Sequence, residues 1–336
     1  MRFHVVMLPN YVVGVDPPFA NYYRELLEQI ALAEDLGFDC FWFTEHHFMQ
    51  YGGPSPNPAA LIAAAAARTS RIRLGCSVSV LPLRHPVHIA EDYALADALS
   101  GGRLEFGMGV GNNPREYDVF GVDIAEARDR FEEALEVILG AWTHERYSHK
   151  GRFWQFDDLT IFPRPIQEPH PPLWIAGLSE TSLSRAGQRG YNIMTVAHPR
   201  PPAEVRPGVA AWRSNLADAG FSPTDRHCLI HLRAYVDEDA RRAGELGQAA
   251  IARYNALSRV GLGRPARPDE SDWEGMLAAG RNVYGTPKQC VEILRRTMKN
   301  FDFDIFGMQF SFGGLPHADV VKSMRLFARA VMPAFG

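Results

Sequence analysis

The run Thr44-Glu45-His46-His47 sets a carboxylate beside two imidazoles at the end of an apolar segment. An acid next to histidine can define one ring's tautomer and let it take or give a proton near neutral pH. The same residues would also serve as polar loop groups satisfied by local hydrogen bonds. Consecutive residues on a strand point to opposite faces, so the three cannot readily converge on a zinc ion, and no metal site is expected. A second stretch, Gly107-Met108-Gly109-Val110-Gly111-Asn112-Asn113, alternates glycine along a strand exit. That pattern lets a flat ligand approach the backbone closely, with Asn112 and Asn113 as candidate contacts. A third, Gly177-Leu178-Ser179-Glu180-Thr181-Ser182, joins a glycine turn to hydroxyls at a helix start. It suits a phosphate held by free backbone N–H groups, provided Glu180 points away; a plain Ser179 cap is its other use. His85, His88, His198, His231 and His317 are scattered and read as structural. Trp42 and Trp174 lie inside strand runs and read as core packing.

These residues need elements to hold them. Eight apolar runs fit buried strands: His4–Leu8, Cys40–Thr44, Ile72–Leu81, Leu104–Met108, Leu173–Ala176, Tyr191–Val196, Cys228–Val236 and Ile305–Phe312. Helical stretches alternate with them. One spans Tyr22 to Leu36 and stops at Gly37; another is capped by Asn57 and opened by Pro58. A third, Ala125 to Trp142, carries Phe131, Leu135, Ile138 and Trp142 on one face, and Thr286 with Gln289 makes a capping box. Strands apolar on both faces imply a parallel sheet with helices outside, and eight such units favour a closed (β/α)8 barrel over an open sheet. The site would then lie where the strands end. Residues 147–172, rich in proline and aromatics, read as an inserted hairpin and extended connection after the fourth strand. Residues 258–284 read as an irregular functional loop after the seventh.

Composition agrees with one folded unit over residues 1–336. Hydrophobic residues make up 46% of the 336 positions and the net charge is −4 with interspersed signs, so nucleic acid is not an expected partner. Cys40, Cys76, Cys228 and Cys290 are widely spaced, as free thiols in a reducing, cytoplasmic setting would be. Neither a signal peptide nor a membrane-spanning stretch is read.

Four segments carry a family resemblance. AEDLGFDCFWFTEHHF (Ala33–Phe48) resembles the bacterial luciferase-like flavin-dependent monooxygenases. So do VLPLRHPVHIAEDYALADALSGGRLEFGMGVG (Val80–Gly111), GTPKQCVEILRR after Tyr284, and the closing GGLPHADVVKSMRLFARAVMP. The motifs keep the family's order from residue 1 to about 333.

The resemblance implies a luciferase-like TIM barrel that binds FMN, or in some branches the deazaflavin F420. Reduced FMN would come from a separate flavin reductase. Oxygen would add at the flavin C4a carbon, and the hydroperoxide would oxidise a small organic substrate. His46 would be the catalytic histidine, with Glu45 beside it. A non-proline cis peptide at Ser77-Val78 would bulge under the flavin ring. Leu178, Ser179 and Ser182, with Gly177 at the turn, would hold the phosphate, and 258–284 would be a mobile lid. A homodimer is also implied; the alanine-rich Ala59–Ala67 helix would suit close packing with a partner or, equally, packing on the barrel. The chain departs from luciferases at Val110, where they carry an arginine on the phosphate; Arg115 is a replacement cation. Light emission is not implied. The alternatives are an F420-dependent oxidoreductase of the same fold and a flavin-binding protein without catalysis.

Overall fold

Residues 1–177, 179–197, 202–265 and 273–336 are described in the computed structural model. Eight parallel strands close into a barrel: β1 (Arg2–Met7), β2 (Cys40–Phe43), β3 (Arg73–Val80), β4 (Leu104–Gly109), β7 (Leu173–Ala176), β8 (Asn192–Val196), β9 (Cys228–Val236) and β11 (Ile305–Gln309). The ring shuts where β11 pairs with β1 and β8 with β9. These are the eight runs legible as buried strands. In β2, CFWF, every residue is buried, because one face meets the barrel interior and the other the helices.

The helices are α1 (Phe19–Asp35), α2 (Pro58–Ala66), α3 (Pro86–Ser100), α4 (Pro114–Phe120), α5 (Ala127–Thr143), α6 (Glu180–Gln188), α7 (Pro202–Asp218), α8 (Ala240–Leu262), α9 (Trp273–Ala278), α10 (Pro287–Asn300) and α11 (His317–Ala330). The stripe Phe131, Leu135, Ile138 and Trp142 on α5 is buried as its spacing requires. Each such side chain contributes ~1.5–3 kcal/mol. Asn57 caps α2, and Thr286 and Gln289 form the capping box of α10.

The barrel floor is filled by Val6, Cys40, Trp42, Trp174, Met194, Leu229 and Ile305. Trp42 and Trp174 meet edge-to-face at 5.2 Å, as the packing reading expects. Trp42 Nε1 donates to His4 Nδ1 at 2.9 Å and Trp174 Nε1 to Glu105 at 2.6 Å, so neither indole N–H is orphaned. Only glycine fits at Gly75, since a Cβ there would lie 2.2 Å from the Trp42 ring.

The insertion at 147–172 does open with an antiparallel hairpin, β5 (Tyr147–Lys150) with β6 (Gln155–Leu159). The reading of 258–284 as irregular is corrected in part. Helix α8 continues to Leu262, α9 follows from Trp273, and β10 (Asn282–Gly285) pairs in parallel with Arg233–Val236 of β9. Strand β9 outlasts its neighbours β8 and β11, and its free end recruits β10. A single helical turn and a four-residue strand are too short to show a period. Residues 266–272 of that segment lie outside the described residues, as do Leu178 and His198. Helix α4 was also not legible, hidden in a loop-like run after the glycines. No described helix is long and apolar enough to cross a membrane.

Candidate active site

A cavity of 570 Å³ opens at the C-terminal ends of β1, β2, β3, β4, β7, β8 and β9. A larger cleft, 880 Å³, lies at the opposite end among Arg2, His4, Asp39, Arg73 and Glu105. The chemistry of a parallel barrel belongs to the C-terminal face, and the sequence-derived candidates gather there: Glu45, His46, Ser77, Val78, Asn112, Gly177, Ser179 and Ser182 all line the first cavity.

His46 leaves the end of β2 with its ring partly exposed, and Nδ1 lies 3.2 Å from Glu116 Oε1. The same oxygen accepts the His47 backbone N–H at 2.9 Å. A carboxylate only accepts, so it fixes the proton of a neutral ring on Nδ1 and leaves Nε2 as the basic nitrogen. Burial alone would raise the Glu116 carboxyl. The hydrogen bond and charge of His46, with the His47 N–H, outweigh burial and hold it below its ordinary 4.5. Helix α4 delivers Glu116 because Tyr117, buried against Val80, Leu83 and Ala127, donates to the Val110 carbonyl and locks the helix down. Gly52, at φ +77°, packs on the other side of His46, where a Cβ would come within 2.5 Å of the ring.

The expectation that Glu45 holds His46 is corrected. Glu45 Oε1 faces His47 Nε2 at 3.2 Å, and Oε2 accepts from Ser79 Oγ and the Val80 N–H, each at 3.2 Å. Glu45 therefore ties the end of β2 to the end of β3, while His46 turns to Glu116. That end is irregular. The Ser77-Val78 peptide is cis, where the resemblance put it, and the β3–β4 register shifts between Cys76 and Ser79.

On the far wall, Ser179 caps α6 and accepts the Ser182 N–H at 3.2 Å. Glu180 is exposed and points away from the cavity. The cation beside these hydroxyls is Arg128 of α5, which lines the cavity with Gly177, Ser179 and Ser182. Arg115 does not: it is exposed on α4. Asn113 is also placed elsewhere, buried as the cap of α4 with its side chain accepting from the Arg115 N–H. Arg128, Arg185 and Arg189 converge on Glu132 at 3.5, 3.8 and 2.6 Å, so three cations share one acid. That leaves an uncompensated positive field beside a helix N-terminus, the setting a phosphate requires.

The interior wall holds three buried polar atoms without a hydrogen-bond partner: Thr44 Oγ1, Thr195 Oγ1 and His231 Nε2. His231 was read as a satisfied structural histidine; it faces the cavity instead. Burial, and then the neighbouring Arg233 cation, push its imidazole down to about 3, so the ring is neutral. Leaving such atoms unpaired costs ~1–3 kcal/mol each. A ligand with a phosphate, a polyol and a polar-edged ring fits this set, and FMN has all three. Glu116, Arg128, Thr195 and His231 were not found from sequence, since only the fold brings α4, α5, β8 and β9 to one space.

The cis peptide, the carboxylate-held histidine and the cationic serine turn together make the candidate active site of this barrel. The chain belongs to the luciferase-like monooxygenase family, whose model matches residues 1–302. It is 37% identical over 227 residues to the oxygenase component of a flavin-dependent trigonelline monooxygenase of Acinetobacter baylyi, covering 66% of this chain and 62% of that one. It is 31% identical over 304 residues to limonene 1,2-monooxygenase of Rhodococcus erythropolis, covering 88% and 76%. The monooxygenase RslO1 of Streptomyces bottropensis superposes with a TM-score of 0.94 at 29% identity, over 100% of both chains. Across the first three curated relatives it matches, the chain spans 52% to 62% of their length. The fold alone is shared with an FMN complex of a Baeyer–Villiger monooxygenase component from Pseudomonas putida (18% identity, TM-score 0.83) and an F420-dependent secondary alcohol dehydrogenase (20%, 0.76), each over at least 98% of both chains.

Proposed function

We propose that this chain is the oxygenase of an FMN-dependent monooxygenase, acting on a small organic substrate with O₂ and with reduced FMN supplied by a separate reductase. The observation that carries this reading is the meeting, in one cavity, of the Glu116-held His46, the cis Ser77-Val78 peptide and the Arg128–Ser179–Ser182 turn. Reduced FMN, when bound, supplies the electrons that activate O₂ at the ring's C4a position. The chain does the rest. Arg128 and the α6 turn hold the phosphate, and Thr44, Thr195 and His231 pair polar edges of the bound molecules. His46 Nε2 moves a proton at the substrate or the activated oxygen. A protein that merely stored flavin would have no use for the His46–Glu116 pair, which argues against the non-catalytic alternative.

Anaerobic titration with reduced FMN followed by an oxygen pulse tests the reading. The expected result is a transient, spectrally distinct from oxidised FMN, that outlives the one formed in free solution. Reoxidation at the free rate, combined with substrate-dependent turnover on added F420, would move the assignment to a hydride-transferring F420 enzyme.

The reading extends to a cytoplasmic homodimer. Ala60, Ala64 and Ala67 share one exposed face of α2, and Leu95 and Leu99 are 47% and 56% exposed on α3, which packs against α2. Residues spaced by about four on a helix form one stripe, and this one is apolar. Sedimentation of a 37.5 kDa particle at micromolar concentration would overturn the dimer.

A further inference from the structure

Arg233 is a buried cation with no acid beside it among the described residues. It is 8% exposed, its Nε meets no acceptor, and among the described residues no carboxylate lies within ion-pair reach. Buried guanidinium groups are ordinarily paired, because removing the charge from water costs several kcal/mol. The groups around it are aromatic hydroxyls. Its guanidinium carbon lies 4.2 Å from the Tyr254 ring centre, and Tyr51 and Tyr284 are close enough to favour its charged form.

Its position is informative. Leu229, His231 and Arg233 alternate along β9 and so share its inner face. Leu229 and His231 line the cavity, and Arg233 is the next step toward the open end. Around the barrel, β9 stands opposite β3, which carries the cis peptide. The serine turn and Arg128 are on the β4–β7 side. Arg233 therefore lies on the β9 side, one step beyond the cavity-lining His231 and away from the β3, β4 and β7 walls that would anchor a flavin.

Three more polar atoms there lack partners. Gln309 Oε1 on β11, where Gln309 pairs in register with Arg233, is buried and unpaired; so are Tyr284 O–H on β10 and His231 Nε2. Tyr254 also links this cluster to the candidate base. Its hydroxyl lies 3.1 Å from that of Tyr51, and the Tyr51 ring centre is 5.6 Å from His46. A cation whose company is tyrosine and not carboxylate, an unpaired phenol and the edge-to-face Tyr51–Tyr254 pair make a setting suited to a planar anion.

We infer that Arg233 binds the carboxylate of the substrate, and that the substrate is an aromatic or heteroaromatic carboxylate whose ring lies against Tyr51 and Tyr254 within reach of His46. This rests on the flavin reading only for what occupies the rest of the cavity. A guanidinium pairs a carboxylate through two parallel hydrogen bonds, so charge and geometry both select the anion.

The test compares benzoate with benzamide, its neutral isostere, by calorimetric titration with and without saturating FMN. Wild-type protein is expected to bind benzoate about tenfold or more tightly than benzamide. Arg233→Met should lower benzoate affinity about tenfold or more while leaving benzamide and FMN affinity within about twofold, and Arg233→Lys should fall between. Equal binding of the two probes to wild-type protein, or undiminished benzoate binding by Arg233→Met, would overturn the inference. So would a matching loss of FMN affinity, which would assign Arg233 to the flavin. If Arg233→Met does not fold, the wild-type comparison and Arg233→Lys decide. Failure of wild-type protein to bind FMN sinks the flavin reading instead, and the flavin-free titrations still judge the carboxylate site.

Discussion

Replacing His46 with alanine lowers turnover by ~10²-fold or more and leaves FMN affinity unchanged, the scale expected for one positioned acid–base group. The geometry separates the two effects. His46 touches Glu116 and faces the cavity from β2, whereas the phosphate turn is formed by β7, α5 and α6. Glu116→Gln is expected to fall between wild type and His46→Ala. An amide still occupies the space and keeps an oxygen for the His46 and His47 contacts, yet it loses the charge that supports an imidazolium. Steady-state kinetics with reduced FMN in excess, paired with flavin titrations of each variant, measures this. Normal turnover in His46→Ala would remove the histidine from the chemistry and leave Glu45, already engaged with His47 and β3, as a weak substitute.

Arg128→Ala weakens FMN binding by about tenfold to a hundredfold, from the loss of ~1.5–3 kcal/mol in a charge-assisted hydrogen bond. Riboflavin, which has the ring and polyol but no phosphate, should bind the variant as it binds wild type. Comparing the two ligands isolates the phosphate, so a general loosening of α5 cannot imitate the result. The variant also relieves Arg185 and Arg189 of one like charge around Glu132, and for that reason the fold should tolerate it. Equal losses for FMN and riboflavin would mean that Arg128 shapes the cavity and does not read the phosphate. No loss for either would return the question to Val110, where the chain lacks the arginine its resemblance implies.

The sequence by itself determined the architecture. Eight short runs apolar on both faces, each leading to a capped helix, can bury themselves only as parallel strands ringed by helices, and the barrel closes in that order. Local chemistry at strand ends was equally readable: Glu45-His46 and the Ser179 turn owe their positions to neighbours in the chain and line one cavity, as does the Ser77-Val78 peptide that the family resemblance implied. What failed to show was whatever depends on distant segments. Glu116 reaches His46 across 70 positions, because Tyr117 anchors a seven-residue helix too short to show a periodic signature. Arg128 lines the cavity with Ser182 only because α5 lies beside α6, whereas Arg115, the candidate nearer in sequence, is exposed on α4 and does not line it. Arg233 looked like an ordinary charged residue in an apolar strand. Its tyrosine surroundings, with no acid beside it among the described residues, became visible only once β9, β10, β11 and α8 had closed around it, since burial and pairing are properties of the assembled space and not of the chain. Pattern along a chain sets which face of an element is apolar; which polar groups end up together, and which are left without a partner, is decided by packing alone.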